Sequence, residues 1–342
     1  MGASCSRNGK SRAKRSVTVI GMPVAEGQDW ETGVEQGPEA LRQAGLVASI
    51  KDLGVNVTDV GDIRMGADEG YKAPANDEHF YTLDDIHNAV SIGHSLKRLF
   101  LEVKKNANEG SFILTLGGDH SVGSATILGL LSAHPNLGVV WVDAHGDCNT
   151  PESSESKNYH GMPAAHAMGW FTKKTPGFEW IDEPLHNHRL LENRLVYIGL
   201  RDLDTRERQM LRQSKVHVYT MRDVDRLGIA GVMKGAVSHL QSGPIHLTFD
   251  IDAIDPSFAP GTGTLARGGL NYRESMYICS SLADTGRLVG MDMVEVNPKL
   301  DSLFSPTTKQ HIHGDDPRIT TDLPTVRLAV ELVTSALGKS II

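Results

Sequence analysis

Two aspartates flank a histidine at alternate positions in Asp143-Ala144-His145-Gly146-Asp147, and Asp250-Ile251-Asp252 repeats the acidic spacing downstream. Both segments follow short apolar runs, 138-GVVWV and 245-IHLTF, so the acids stand at the lip of a dry core. If the extended backbone runs on, residues i, i+2 and i+4 share one face. Two carboxylates and an imidazole crowded there repel one another and lose hydration, a cost that a divalent cation removes. His120, behind the turn Gly117-Gly118-Asp119, adds a further nitrogen. Four carboxylates and two imidazoles suffice for two divalent ions if some carboxylates bridge. The donors are oxygen and nitrogen with no thiolate required, which favours a harder ion such as Mn²⁺ over structural Zn²⁺, with Co, Ni or Fe as substitutes. Two such ions, about 3.5 Å apart, lower the pKa of a shared water and set a nucleophile beside an electrophilic carbon. An isolated Asp-x-Asp is more often a loop acid or a helix cap. The three segments together, each behind its own apolar run, point to a metal centre.

Whatever holds these residues must bring several strand ends to one edge. Runs rich in Val, Ile and Leu recur at 17–21, 112–116, 138–142, 195–200, 245–249 and 288–296. They are apolar throughout, as strands buried on both faces are. Helical stretches lie between them at 83–105, 121–133, 205–214, 271–285 and 324–337. The alternation predicts an open α/β sheet covered by helices on both faces. In such sheets ligands bind beyond the carboxyl ends of the strands, where Glu295 joins the residues above. No repeat or long linker divides residues 16–342, which read as one catalytic domain behind a distinct tail, residues 1–15.

The formal charge of −8 and the lack of a basic face exclude nucleic acid as a main partner. Three cysteines, Cys5, Cys148 and Cys279, are odd in number and far apart, which points to a reducing, cytoplasmic setting. No apolar run approaches the ~18–20 residues that span a bilayer. The tail carries five basic residues and no acidic ones. Gly2 with Ser6 fits the myristoylation pattern and Cys5 is available for palmitate. An acyl chain with a basic patch or a second chain holds a membrane surface stably. The tail therefore reads either as a disordered solubilising segment or as a lipid anchor.

The motifs 33-GVEQGP, 117-GGDHS, 143-DAHGD and 250-DIDAIDPSFAPGTGT resemble the ureohydrolases, and among them the arginases, over about Val17 to Leu337. That resemblance implies a three-layer α/β/α fold around a parallel eight-stranded sheet, two Mn²⁺ per chain, and conversion of L-arginine and water to L-ornithine and urea. It places one ion on His120, Asp143, Asp147 and Asp250, and the other on Asp143, His145, Asp250 and Asp252. By the same resemblance Asp147 also hydrogen-bonds the nucleophile, His160 in 158-NYHGMP moves protons, Glu295 pairs with the guanidinium, and Thr264 lines its pocket. Asn149, Ser156 and Asn158 suit the substrate's carboxylate, and Asp202 or Asp204 its ammonium. Those neutral donors, with DAHGDCN where agmatinases usually carry DAHxDT, favour arginine over agmatine. A homotrimer or homohexamer is also implied.

Some residues depart from the pattern. Glu152 and Glu155, in 152-ESSES, put acids in the loop expected to meet the substrate carboxylate, where they either weaken binding or face solvent. Cys148 stands where an aliphatic residue is usual and reads as buried packing. Residues 301–322 resemble an insertion, and the His311–His313 and His186–His188 pairs read as decoys without strand support. The alternatives left open are an agmatinase or other guanidino-compound amidinohydrolase, and a non-catalytic arginine-binding homologue.

Overall fold

A computed structural model describes residues 16–29, 32–64, 71, 77–182, 189–304 and 321–340. Gly2, Cys5 and the rest of the tail, His186 and His188, and His311 and His313 lie outside the described residues.

The sheet has eight strands: β1 (Ser16–Met22), β2 (Asn56–Asp62), β3 (Phe112–Gly117), β4 (Gly138–Val142), β5 (Leu195–Leu200), β6 (His217–Thr220), β7 (Ile245–Asp250) and β8 (Leu288–Val294). All pairings are parallel, in the order β2-β1-β3-β8-β7-β4-β5-β6. The six inner strands are the apolar runs of the sequence. The two edge strands escape that pattern because one side of each has no neighbour, so NVTDVGD and HVYT carry mixed, partly exposed residues.

Among the described residues eleven helices connect or follow the strands: α1 (Gly37–Gln43), α2 (Leu46–Lys51), α3 (Ala89–Asn108), α4 (Val122–Ala133), α5 (Pro163–Met168), α6 (Glu179–Asp182), α7 (Thr205–Gln213), α8 (Met221–His239), α9 (Tyr272–Asp284), α10 (Pro298–Asp301) and α11 (Pro324–Ala336). Apolar side chains of α1, α2, α8, α9 and α11 meet one sheet face. Those of α3, α4, α5, α6 and α7 meet the other. The result is the three-layer α/β/α arrangement. Helix α3 begins at Ala89, because residues 83–88 form turns that end in Asn88 at φ 53°. Helix α8 has no clean period because Gly228, at φ 67°, breaks it.

Two connections matter for the site. At the end of β3, Gly118 donates its N–H to the Met22 carbonyl and Asp119 donates to Val24 (both 2.8 Å). A Cβ on Gly118 would overlap the Val24 backbone, so this close approach requires glycine. Near the C-terminus, buried Asp301 accepts N–H bonds from Thr325 (2.9 Å) and Val326 (3.0 Å). It thereby caps α11 from across the 305–320 segment and fixes both ends of the region read as an insertion. Among the described residues no helix is long and apolar enough to cross a membrane.

Candidate active site

Strands β3, β8, β7 and β4 are consecutive neighbours at the centre of the sheet. Their carboxyl ends therefore lie side by side and carry His120, Glu295, Asp250 and Asp143. The segment 143–147 is not the extended strand end expected above: β4 stops at Val142 and the chain turns. Asp143 Oδ1 accepts the His145 N–H (2.7 Å), and Asp147 adopts φ 46°. A turn, not alternation, delivers these three side chains. Asp147 and Glu295 (φ 59°) are both non-glycine residues in the left-handed region, a conformation that over-determined functional loops maintain.

Two groups of donors result. His120 Nδ1 lies 3.2 Å from Asp143 Oδ2, 3.0 Å from Asp147 Oδ2 and 3.0 Å from Asp250 Oδ2, all with almost no solvent exposure. His145 Nδ1 lies 3.1 Å from Asp252 Oδ2 and 3.5 Å from Asp143 Oδ1. Asp143 belongs to both groups, whereas Asp250 falls with His120. Asp250 Oδ1 accepts the Asp252 N–H (2.8 Å), which ties the two groups together.

The fit to a metal follows from hydrogen-bond arithmetic. His120 Nε2 is 2.8 Å from Thr248 Oγ1. With that N–H donated to the hydroxyl, Nδ1 presents a lone pair to three carboxylate oxygens, an arrangement only a cation reconciles. Even with Nδ1 protonated, one N–H cannot serve three acceptors. In the protein alone, protons must do the work of the cation. Burial, with Asp252 and Asp143 nearby, pushes the Asp250 carboxyl well up. Burial and Asp143 push Asp147 to about 6. For His120, burial opposes the charge but its carboxylate partners hold the imidazole well above its usual range. An oxygen and nitrogen donor set without sulfur suits a hard or borderline divalent ion.

Beside this cluster, His160 Nδ1 is 3.3 Å from Glu295 Oε1, which also accepts the His120 backbone N–H (2.9 Å). Burial works against a charge on His160, but Glu295 prevails and lifts it to about 9. Both residues line a cavity of about 160 Å³ together with His145, Asp147, Asn149, Gly161, Glu207, Asp250, Asp252 and Thr264.

The Arginase family profile matches residues 15–336. The arginase of Plasmodium berghei is 38% identical over 96% of this chain and 94% of its own length. The structure of arginase from Bacillus caldovelox superposes with a TM-score of 0.79 at 33% identity, over 96% of this chain and all of that one. Entamoeba histolytica arginase in complex with L-ornithine does so with a TM-score of 0.77 at 30% identity, with the same coverage. The chain belongs to the arginase family.

Of the residues that the arginase pattern assigns to substrate, Glu295, Thr264 and Asn149 line the cavity, whereas Ser156, Asn158, Asp202 and Asp204 are not part of its lining. Thr264 donates its hydroxyl to Asp252 Oδ2 (2.7 Å), and so reaches the cavity through a carboxylate of the second group. Asn149 lines it too, but its amide is engaged: Nδ2 donates to Asp204 Oδ2 (2.8 Å) and Oδ1 accepts from Ser153 (2.6 Å). Ser156 is exposed, and Asn158 is buried with its Oδ1 lacking a partner. Asp202 is 72% exposed, its carboxylate 4.0 Å from His145 Nε2. Asp204 caps α7 through the Arg206 and Glu207 N–H groups, a structural duty the sequence reading did not assign it.

Four buried residues were missed. Trp141 donates Nε1–H to Asp143 Oδ2 (2.8 Å) and stacks on His120 at 4.3 Å. Its place two residues before Asp143 was the available signal. Thr248, two before Asp250, gave the same signal. Glu207 closes the Asp204-x-x-Glu207 capping box and faces the cavity, where burial, then Asp147 and Asp204, raise it to about 8. Asp119 accepts N–H bonds from Gly27 and Ser121, and Gly27 O in turn accepts the His160 N–H.

The departures from the arginase pattern also resolve. Glu152 is exposed, as one of the two expectations had it, but its carboxylate is also engaged. Its Oε1 accepts the hydroxyls of Tyr81 (2.7 Å) and Thr172 (2.6 Å), away from the cavity. Partial burial opposes its charge, but Thr172, Tyr81 and Thr150 outweigh it and hold the carboxyl below its usual range. Glu155 faces solvent. Cys148 is buried, and desolvation with Glu207 nearby lifts its thiol well above the ordinary range, so it is inert packing.

Proposed function

We propose that this chain hydrolyses L-arginine with water to L-ornithine and urea. The observation that carries the reading is one cavity onto which two histidine–carboxylate groups sharing Asp143 open beside the His160–Glu295 pair. The L-ornithine held by the Entamoeba relative is the product this reaction would leave. His120, Asp143, Asp147 and Asp250 would hold one manganese ion, and Asp143, His145, Asp250 and Asp252 the other. When bound, the pair would make a nucleophile of water at neutral pH and stabilise charge on the reacting guanidinium.

The chain's own groups do the rest. Glu295 offers a carboxylate to the guanidinium N–H groups and orients its carbon toward Asp147 and Asp250, which line the same cavity. Asp147 accepts a hydrogen bond from the attacking water. As the carbon–nitrogen bond to the ornithine side breaks, His160, protonated at neutral pH by virtue of Glu295, delivers a proton to the departing amine and is recharged from solvent. Asn149, Ser156 and Asn158 suit the α-carboxylate. Asp202, Asp204 and the buried Glu207 suit the α-ammonium, which would offset the cost of ionising Glu207.

A urea assay on purified protein, with metal content measured on the same preparation, tests the reading. Urea release from arginine that chelation abolishes and Mn²⁺ restores is expected. Faster turnover of agmatine would move the assignment to the decarboxylated substrate, and ornithine or arginine binding without turnover would leave a non-catalytic homologue. The reading extends to a single catalytic domain from residue 16, to homotrimers or homohexamers checked by light scattering, and to acylation at Gly2 and Cys5, for which Gly2→Ala should release cytoplasmic membrane-associated protein.

A further inference from the structure

The loop between Asn149 and His160 carries the three neutral residues suited to the substrate carboxylate, and it is laced to itself. Ser153 Oγ donates to Asn149 Oδ1 and accepts the Thr150 N–H (2.8 Å), Lys157 N–H donates to Ser154 Oγ (3.0 Å), and Lys157 Nζ reaches the Pro151 carbonyl (2.6 Å). Such a unit keeps its shape, but its position depends on what it is tied to outside. On its α7 side, Arg206 donates to the Glu152 carbonyl. On its other side the Glu152 carboxylate is held by Tyr81 and Thr172, the Lys157 carbonyl accepts the His87 N–H (3.0 Å), and the Tyr159 hydroxyl donates to Ser124 (3.0 Å) at the far end of the loop.

The Glu152 tether is built on rigid ground. Tyr81 is buried, and its hydroxyl accepts the Thr172 N–H (3.0 Å), which leaves its own proton for Glu152. Backbone bonds from Tyr81 N–H to Lys174 O and from Lys174 N–H to His79 O (both 2.9 Å) join the two supporting segments. A carboxylate in this loop would repel the substrate carboxylate if it turned inward. Clasped outward, it anchors the loop instead.

We propose that Glu152 is a positioning residue for the substrate's carboxylate: clasped by Tyr81 and Thr172, it sets the 150–157 turn so that Ser156 and Asn158 meet that group. The proposal rests on the arginine reading above. A group positioned in this way acts on binding of substrates that carry a carboxylate and leaves the bond-breaking step alone.

The test uses the metal-loaded protein. In Glu152→Ala, KM for arginine rises about five- to tenfold while kcat stays within about twofold, and agmatine, as substrate or competitive inhibitor, is unaffected. Amide hydrogen exchange quickens over 150–157 and not over 143–147. Glu152→Gln, which keeps an acceptor for both hydroxyls, restores most of the KM. Tyr81→Phe weakens arginine alone but adds less than about twofold to Glu152→Ala, as members of one clasp do. An unchanged arginine KM, equal weakening of arginine and agmatine, or exchange that quickens throughout the site would overturn the proposal. Wild-type protein that fails to hydrolyse arginine would sink the underlying reading instead, and the exchange comparison would still decide whether the clasp holds the loop.

Discussion

At the scale of the residue, the site is ordered by partners that never touch substrate. Thr248 takes one nitrogen of His120, Trp141 covers the ring and holds Asp143, and the other nitrogen is left among three carboxylates. Thr248→Val removes the hydroxyl at nearly constant volume, so manganese affinity should fall about 10- to 100-fold with the fold intact. Metal titration calorimetry measures this, and unchanged affinity would mean that packing alone orients His120. His160 owes its protonation to Glu295. In metal-free Glu295→Gln, imidazole NMR should place its pKa well below the wild-type value of about 9. The sign for stability follows. A histidine raised from about 6.5 to about 9 stabilises the fold fully below its unfolded value and loses that contribution as pH climbs through 9. Metal-free protein should thus weaken between those pH values, and His160→Asn should flatten that slope in urea melts.

At the scale of the element, strand ends and caps decide where chemistry is delivered. Helix α11 begins Leu323-Pro324, with no side-chain acceptor at its N-cap, and Asp301 supplies the missing acceptor from α10. Asp301→Ala should cost about 1–2 kcal/mol, the usual penalty for losing such a cap, and lower the urea midpoint without altering the metal site. Asp204 illustrates the opposite economy. It caps α7, holds Asn149 and thereby connects helix geometry to the substrate side of the cavity. The turn after β4 shows why the Asp143-x-His145-x-Asp147 spacing misleads as a strand: its own side chain-to-backbone bond curls the chain, and a positive φ at Asp147 completes the turn.

For the molecule as a whole, a metal bound at this cluster would couple to folding. The fold assembles six buried or half-buried residues able to ligate a metal, four of them carboxylates whose mutual repulsion a cation would relieve. At free metal about 100-fold above its Kd, occupancy adds about 2.7 kcal/mol to stability. Chelation should therefore lower Tm measurably at neutral pH, and restoring Mn²⁺ should return it. Calorimetry with and without chelator checks this, and an insensitive Tm would separate the cluster from metal binding.

Much of this was legible in the residues alone, for a definite reason. Ligand types, their place after apolar runs, and the six inner strands all leave local marks, because burial on both faces and crowded acids constrain neighbouring positions. The edge strands β2 and β6 left none, since one exposed side frees their composition. Nothing local records that β8 and β7 insert between β3 and β4, yet that order alone sets Glu295 and Asp250 between His120 and Asp143. Nor does composition tell which way an acid turns. Glu152 and Glu155 share one short motif and both are exposed, yet the tertiary neighbours Tyr81 and Thr172 draw the first into a clasp. Sequence determined which chemistry was possible, because donor atoms are a property of residue type. The tertiary structure decided which donors meet, because that depends on contacts between segments far apart in the chain.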